Sequence, residues 1–282
     1  MSESKLALVT GANSGMGKAI AVALAKEDIH IIMLCRDQKR GEEAFNEVQT
    51  LSGSTKVELM LCDLGSLSEI RRFCEEFKKR YGALQLLINN AGVILPGRHI
   101  TRDGYELQFG VNHLGHFLLT NLLLETLKNG APARIINVAS GAHKIGRIHF
   151  DDIHLRHNYT VWRAYAQSKL ANILFTYELA RRLEGTQVTV NCLHPGAVAT
   201  NMGINRDTGF GRTITRILKP FFQSPEKGAE TTVYLALSPE VEGVTGKYFY
   251  RKRPVSSSHE SYSLETAKQL WCLSEELTGL SE

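Results

Sequence analysis

Seven short runs of aliphatic and β-branched residues recur along this chain, at residues 5–10, 30–35, 56–62, 84–89, 134–139, 187–193 and 247–250. They are too short for helices and are apolar almost continuously rather than at alternate positions, the mark of strands covered on both faces. Apolar residues at helical spacing fill the intervals, at 15–26, 38–51, 67–80, 105–127, 162–183 and 225–237, and a terminal helix is expected at 264–277. Strict alternation of strand and helix buries both kinds of element when a parallel sheet is sandwiched between helical layers. The chain is therefore expected to form one α/β domain over residues 1–282, a doubly wound parallel sheet without internal repeats or a low-complexity linker.

The first strand-to-helix turn reads Thr10-Gly-Ala-Asn-Ser-Gly-Met-Gly17. Glycines at 11, 15 and 17 allow a tight turn and a close approach of backbone to a pyrophosphate, whose charge the following helix N-terminus favours. Asn13, Ser14 and Met16 lie inside the same turn and are counted with Gly11, Gly15 and Gly17 as cofactor-binding residues. Because the motif follows the first strand and opens the first helix of a βαβ unit, it marks a dinucleotide site in a Rossmann-type sheet. Three residues separate the first two glycines and one separates the last two, unlike the Gly-x-Gly-x-x-Gly of lactate-type dehydrogenases.

Composition narrows the function classes. The net charge of +4 is dispersed along the chain, which argues against nucleic acid as a partner. No stretch of 18 uncharged apolar residues occurs, and the first strand begins at Lys5, so the expectation is a cytoplasmic protein without a transmembrane segment or signal peptide. The five cysteines are odd in number and lack Cys-x-x-Cys spacing; Cys35, Cys62 and Cys192 fall in predicted strands, as small buried hydrophobes do. His143, His149, His154 and His157 crowd one segment but match no helical metal-pair spacing, so no metal is expected. Arg251-Lys-Arg253 before Pro254 reads as an exposed turn.

The chemistry is concentrated in Tyr165-Ala-Gln-Ser-Lys169. Four residues of separation place the two side chains on one helix face, one turn apart. A unit charge about 4 Å from a phenol, at an effective dielectric near 20, is worth about 4 kcal/mol, enough to lower a phenol pKa by roughly three units. Lys169 is accordingly expected to bring Tyr165 toward neutrality as a proton donor or acceptor.

Taken with Asp63-Leu64, Asn89-Asn90-Ala91-Gly92, Asn112, Ser140 and Pro195-Gly196, all in order along the chain, these motifs resemble the short-chain dehydrogenase/reductase family over essentially the full length. The chain is similar in particular to the retinol-dehydrogenase-like branch. Cys35-Arg36-Asp37, Asn112-His-Leu-Gly-His-Phe117, Ile148-His-Phe-Asp-Asp-Ile153 and His194-Pro-Gly196 carry that likeness, as does the 25-residue gap from Ser140 to Tyr165. The resemblance implies that Asp63 holds the adenine amino group, with Leu64 beside it, and that Asn90, Ala91 and Gly92 support the ribose side. It further implies that Pro195, Gly196, Val198 and Thr200 embrace the nicotinamide. In the family mechanism Tyr165 exchanges the proton, Ser140 holds the substrate oxygen, Lys169 also binds the nicotinamide ribose, and Asn112 organises a water linking Lys169 to solvent. A homodimer or homotetramer is implied as well.

Cofactor choice turns on the end of the second strand. Arg36 comes 19 residues after Gly17, where an arginine accepts a 2′-phosphate and an acid would bind a 2′-hydroxyl. Asp37 is the rival, but it stands just before a helical pattern and is explained as an N-cap. NADP(H) is expected, with NAD(H) the other outcome. Residues 200–225 carry Phe210, Ile214, Ile217, Leu218 and Phe221 at helical spacing among Arg212, Arg216 and Lys219. This stripe reads as a lid over an apolar pocket, as a core helix, or as a basic amphipathic helix on a membrane surface. The functional expectation is an oxidoreductase moving hydride between NADP(H) and a lipophilic carbonyl or alcohol. A catalytically silent nucleotide-sensing module of the same fold and an NAD-dependent alcohol dehydrogenase are the alternatives.

Overall fold

The computed structural model describes residues 5–196 and 223–280 of the chain. The N-terminal half runs β1 (Leu6–Thr10), α1 (Gly15–Lys26), β2 (His30–Cys35), α2 (Gln38–Ser52), β3 (Val57–Leu61), α3 (Leu67–Arg80) and β4 (Leu86–Asn89). A broken helical run follows: α4 (Leu107–Phe109), a π-helical turn (Gly110–Leu114), α5 (Gly115–Leu122) and α6 (Leu124–Asn129). The chain continues through β5 (Ala133–Val138), α7 (Val161–Arg182), β6 (Val188–His194), α8 (Pro225–Leu237), β7 (Tyr248–Tyr250), β8 (Arg253–Pro254) and α9 (Leu264–Thr278).

The strands form one sheet in the order β3-β2-β1-β4-β5-β6-β7-β8, parallel except for β8. Strand order reverses between β1 and β4, and in open α/β sheets the crevice at such a reversal, beyond the carboxyl ends of the strands, is where ligands bind. Side chains alternate across the sheet. Leu6 and Leu8 of β1 join Phe73, Phe77, Phe117, Phe175 and Trp271 from α3, α5, α7 and α9. Ala7 and Val9 face the opposite layer, with Ile20 and Leu24 of α1, Val48 of α2 and Leu235 of α8.

Three departures from the sequence reading have physical causes. The single helix expected over 105–127 is interrupted, because the π turn carries Asn112 inward to the backbone of Val93 and because α5 approaches so closely that a Cβ on Gly115 would meet the Leu64 carbonyl at 2.4 Å. The turn read at Arg251-Lys-Arg253 is exposed as expected, but it also closes a two-residue hairpin pairing β7 with a short β8 that the sequence reading lacked. Both loop residues, Arg251 and Lys252, have positive φ, a conformation that Asn-Gly announces in a sequence and Arg-Lys does not. Leu123, outside helical geometry with ψ near 4°, divides α5 from α6. The lid segment and its apolar stripe lie outside the described residues.

His113, in the π turn, is enclosed by Phe109, Phe117 and Phe175 and bonded to the Ser274 hydroxyl at 2.9 Å. Burial pushes its pKa down to about 3, and that of the neighbouring His116 to about 4. Both are neutral when folded and free to charge when unfolded, so the unfolded chain binds more protons at acid pH. Stability should therefore be level above about pH 6.5 and fall progressively as pH drops toward 4. His113→Leu should flatten that slope in thermal melts followed by circular dichroism; an unchanged slope would show that His113 does not control acid unfolding.

Candidate active site

The crevice is organised around one hydroxyl. Thr10, at the end of β1, accepts hydrogen bonds on Oγ1 from the backbone N–H groups of Asn90 and Ala91, both at 2.9 Å. His116 Nδ1 lies 3.1 Å from the Asn112 carbonyl and must donate to it, which leaves Nε2 as the acceptor for the Thr10 hydroxyl at 2.9 Å. Asn90 Nδ2 returns a hydrogen bond to the Thr10 carbonyl at 2.8 Å. The ends of β1 and β4 are thus stapled at the strand reversal, so Asn90 and Ala91 brace the glycine turn from below. Gly92 follows them, partly exposed.

The turn is as tight as its glycines suggest. A Cβ on Gly17 would stand 2.3 Å from the Gly11 carbonyl, and one on Gly11 would stand 3.0 Å from Ala91 Cα. Gly11 and Gly15 also have positive φ. Side chains cap the other long helices: Asp37 on α2, Ser66 on α3, Thr160 on α7, Ser224 on α8 and Ser263 on α9. Ser14, at the head of α1, makes no such bond, and the first turn carries no acid. With Asn13 partly exposed and Met16 buried beneath, the N–H groups of α1 remain available to an anion, and the turn fits a pyrophosphate.

At the end of β2, Asp37 Oδ1 accepts from Arg40 N at 2.8 Å, the N-cap role read from the sequence. Arg36 is exposed and makes no hydrogen bond or ion pair among the described residues. Asp63 turns Oδ1 back onto Gly65 N at 2.9 Å, while its own N–H is held by Glu69, so the carboxylate is presented on a fixed loop above the buried Leu64.

Ser140 lies two residues beyond β5 and caps a short 3-10 turn, Gly141–Ile145. Tyr165 and Lys169 sit one turn apart on one face of α7, and the Ser140 hydroxyl, which accepts from Ala142 N at 3.2 Å, lies close enough to the Tyr165 phenol to influence it. Lys169 is 1% exposed, its Nζ donating to the Val138 carbonyl at 3.0 Å and standing 5.7 Å from the Tyr165 ring centre. Burial lowers its pKa to about 8. The expectation that Lys169 brings the phenol below its ordinary range is corrected: burial raises Tyr165, and the Ser140 hydrogen bond opposes that rise only in part. Desolvation of the phenolate is the largest influence on the group.

The Asn112 side chain is committed to structure. Its Oδ1 accepts from Val93 N at 2.7 Å, and Nδ2 donates to Val93 O at 3.0 Å and Ser168 Oγ at 3.1 Å. It ties the segment after Asn90–Gly92 to α7 beside Tyr165 and has no amide hydrogen left for a water. At the end of β6, Gly196 has a φ of +89° and packs on Gln223, and its N–H points to His194, which stacks on Tyr250. Pro195 is partly exposed beside it; Val198 and Thr200 lie outside the described residues.

The four clustered histidines disperse to separate partners. His143 turns to the Ser140 carbonyl, His149 receives Arg163, His154 stacks on Tyr105, and His157 pairs with Asp152. The sequence reading passed over Thr10, His116 and Ser168; the spacing of His116 four residues after Asn112 was the available signal for one of them. Two large apolar side chains stand exposed, one on α7 and one on the turn after Ser140. Trp162 is 63% exposed with its ring edge-on to Tyr165, and Ile145, ending the turn that Ser140 begins, is 75% exposed. Among the described residues no helix is long and apolar enough to cross a membrane.

Residues 5–209 match the family model described as short chain dehydrogenase. The chain is 45% identical to human retinol dehydrogenase 14 over 297 aligned positions, covering 98% of this chain and 87% of that protein. A crystal structure of a putative uncharacterized protein from Mycobacterium paratuberculosis superposes with a TM-score of 0.79 at 35% identity, covering 98% of this chain and 93% of that one. A variant of actinorhodin polyketide ketoreductase solved with NADPH matches with a TM-score of 0.67 at 27% identity, over 88% of this chain and 96% of its own.

Removing the Thr10 hydroxyl tests the foundation of this site. Thr10→Val keeps the shape but strands two backbone N–H groups and His116 Nε2, and should lower unfolding free energy by about 2–4 kcal/mol in urea titrations. A loss below about 1 kcal/mol would mean the staple is carried elsewhere.

Proposed function

The chain belongs to the short-chain dehydrogenase family and is an oxidoreductase, and from that premise we propose that it transfers hydride between NADP(H) and a lipophilic carbonyl or alcohol, with carbonyl reduction favoured near neutral pH. The observation that carries the reading is the convergence of Ser140, Tyr165 and a buried Lys169 beside an uncapped glycine turn. A nicotinamide cofactor, when bound, supplies the hydride that reaches the carbonyl carbon. This chain's residues do the rest. The Ser140 hydroxyl donates a hydrogen bond to the substrate oxygen, and Tyr165 passes that oxygen its phenolic proton as the C=O bond becomes an alkoxide. Because burial keeps the phenol protonated at neutral pH, the site is set as a proton donor, which suits reduction. The lysine charge, present below about pH 8, stabilises the phenolate left behind until it is reprotonated.

Support for the phosphate form of the cofactor comes from Arg36, exposed and unpaired among the described residues, next to an Asp37 already spent on its helix. The solved ketoreductase relative with NADPH agrees with that reading. Support for an apolar substrate comes from Trp162, which offers bare hydrophobic surface against the Tyr165 ring. Retinol dehydrogenase 14 of human carries a bulky apolar alcohol in its name.

Three measurements test this. With a panel of aromatic and long-chain aldehydes followed by NADPH absorbance, Tyr165→Phe should cut turnover at least ~100-fold while cofactor affinity holds. The wild-type reductive rate should be level near neutrality and decline as pH rises through about 8, where Lys169 loses its charge, whereas alcohol oxidation should climb with pH. Near-normal turnover in the phenylalanine variant would remove Tyr165 from the chemistry. Arg36→Ala should weaken NADPH binding by about 1.5–3 kcal/mol and leave NADH almost untouched; equal losses would reassign Arg36 to structure.

A further inference from the structure

We infer that His143 is a positioning residue for the Ser140 hydroxyl, acting as a neutral Nδ1–H imidazole wedged between the Ser140 carbonyl and the chain segment that precedes α9. The inference rests on the functional reading above, in which Ser140 holds the substrate oxygen.

His143 is fully buried, and its two ring nitrogens have unlike partners. Nδ1 lies 2.6 Å from the Ser140 carbonyl oxygen, which can only accept. Nε2 receives the Ser258 backbone N–H at 3.1 Å, which can only donate. Together these contacts set the tautomer: the proton is on Nδ1 and the lone pair on Nε2. The Ser140 carbonyl also takes the His143 backbone N–H at 3.2 Å, so residue 143 grips it twice. On the other side of Ser140, Ala139 N is held by the Leu193 carbonyl at 2.8 Å, in register with β6. With the peptides on both sides fixed, the Ser140 Cα–Cβ bond has one direction, and its hydroxyl is held there by accepting from Ala142 N at 3.2 Å.

The surroundings allow little slack. Tyr248 of β7 meets the His143 ring edge-on at 4.9 Å, and a Cβ on Gly141 would stand 3.3 Å from His194. The segment supplying Ser258 is itself tied down, Ser257 Oγ bonding Tyr177 at 2.8 Å and Ser261 at 2.6 Å. His143 is therefore a strut from the C-terminal part of the chain to the turn that carries the oxygen-holding hydroxyl, and it touches no reacting atom.

Two substitutions separate the nitrogens. Asn places an amide N–H where Nδ1 is and abandons Ser258; Gln places a carbonyl oxygen where Nε2 is and abandons Ser140. His143→Asn should keep kcat within ~3-fold of wild type, whereas His143→Gln should lower kcat at least ~10-fold with cofactor dissociation constants within ~2-fold, although both lose some thermal stability. Equal losses in the two variants, following their melting temperatures, would overturn the assignment and make His143 purely structural. Should either variant fail to fold, long-range proton–nitrogen spectra of the wild-type protein decide it: Nδ1 protonated supports the strut, Nε2 protonated refutes it. If the wild type shows no Tyr165-dependent turnover on any carbonyl, the functional reading fails instead, and the spectrum still reports on His143.

Discussion

The glycine turn exists because two strand ends are held together by the hydroxyl of Thr10. Parallel neighbours β1 and β4 diverge after their last paired residues, and nothing in a ladder of backbone bonds requires the chains beyond it to stay in register. Thr10 Oγ1 does so by accepting two successive N–H groups from the far strand, and Asn90 answers with its amide. Gly11 and Gly17 can then approach until no Cβ fits between them, and α1 starts with its amides facing the crevice. A serine could make the same bonds with less χ1 stiffness; threonine, being β-branched, holds the oxygen in place at no further entropic cost.

From that staple the order spreads to α7 through the π turn. His116 hands the Thr10 contact to the Asn112 carbonyl, and the Asn112 side chain passes to Val93 and Ser168, one residue before Lys169. An α-helix there, one residue shorter, would rotate Asn112 away from Val93 by roughly 100°. The extra residue of a π turn is what lets one side chain serve the loop after β4 and the helix carrying the phenol, which is why such turns gather at functional sites.

Strands were readable from the sequence because burial on both faces makes them continuously apolar, and every one of the seven expected runs lies in the parallel sheet. The end cap at Asp37 was legible for a local reason: a short polar side chain is set just ahead of an amphipathic run. The β7–β8 hairpin was hidden because its positive-φ loop is Arg-Lys, and the break in the 105–127 helix because its cause is a contact with Val93, 19 residues away. Of the site, Tyr165 and Lys169 announced their adjacency by spacing alone. Their electrostatics did not follow from spacing, since one turn of helix says nothing about desolvation.

That desolvation shapes the chemistry. A lysine 1% exposed, with Val138 O as its hydrogen-bond acceptor in the described structure, is an expensive group to bury, and its pKa falls because the neutral amine is easier to keep there. A phenol under the same burial moves the opposite way, so the low-dielectric pocket draws the two groups toward uncharged forms together. The proton inventory of the pair is consequently poised: near neutral pH the lysine retains its charge and the phenol its proton, and loss of the phenolic proton to a substrate oxygen converts two unlike burdens into an ion pair in a medium where ion pairs are strong. The phenol is raised nonetheless, so in the resting site the cost of desolvating the phenolate exceeds its attraction to the lysine, and proton donation is driven by the far stronger basicity of the alkoxide that forms as hydride arrives.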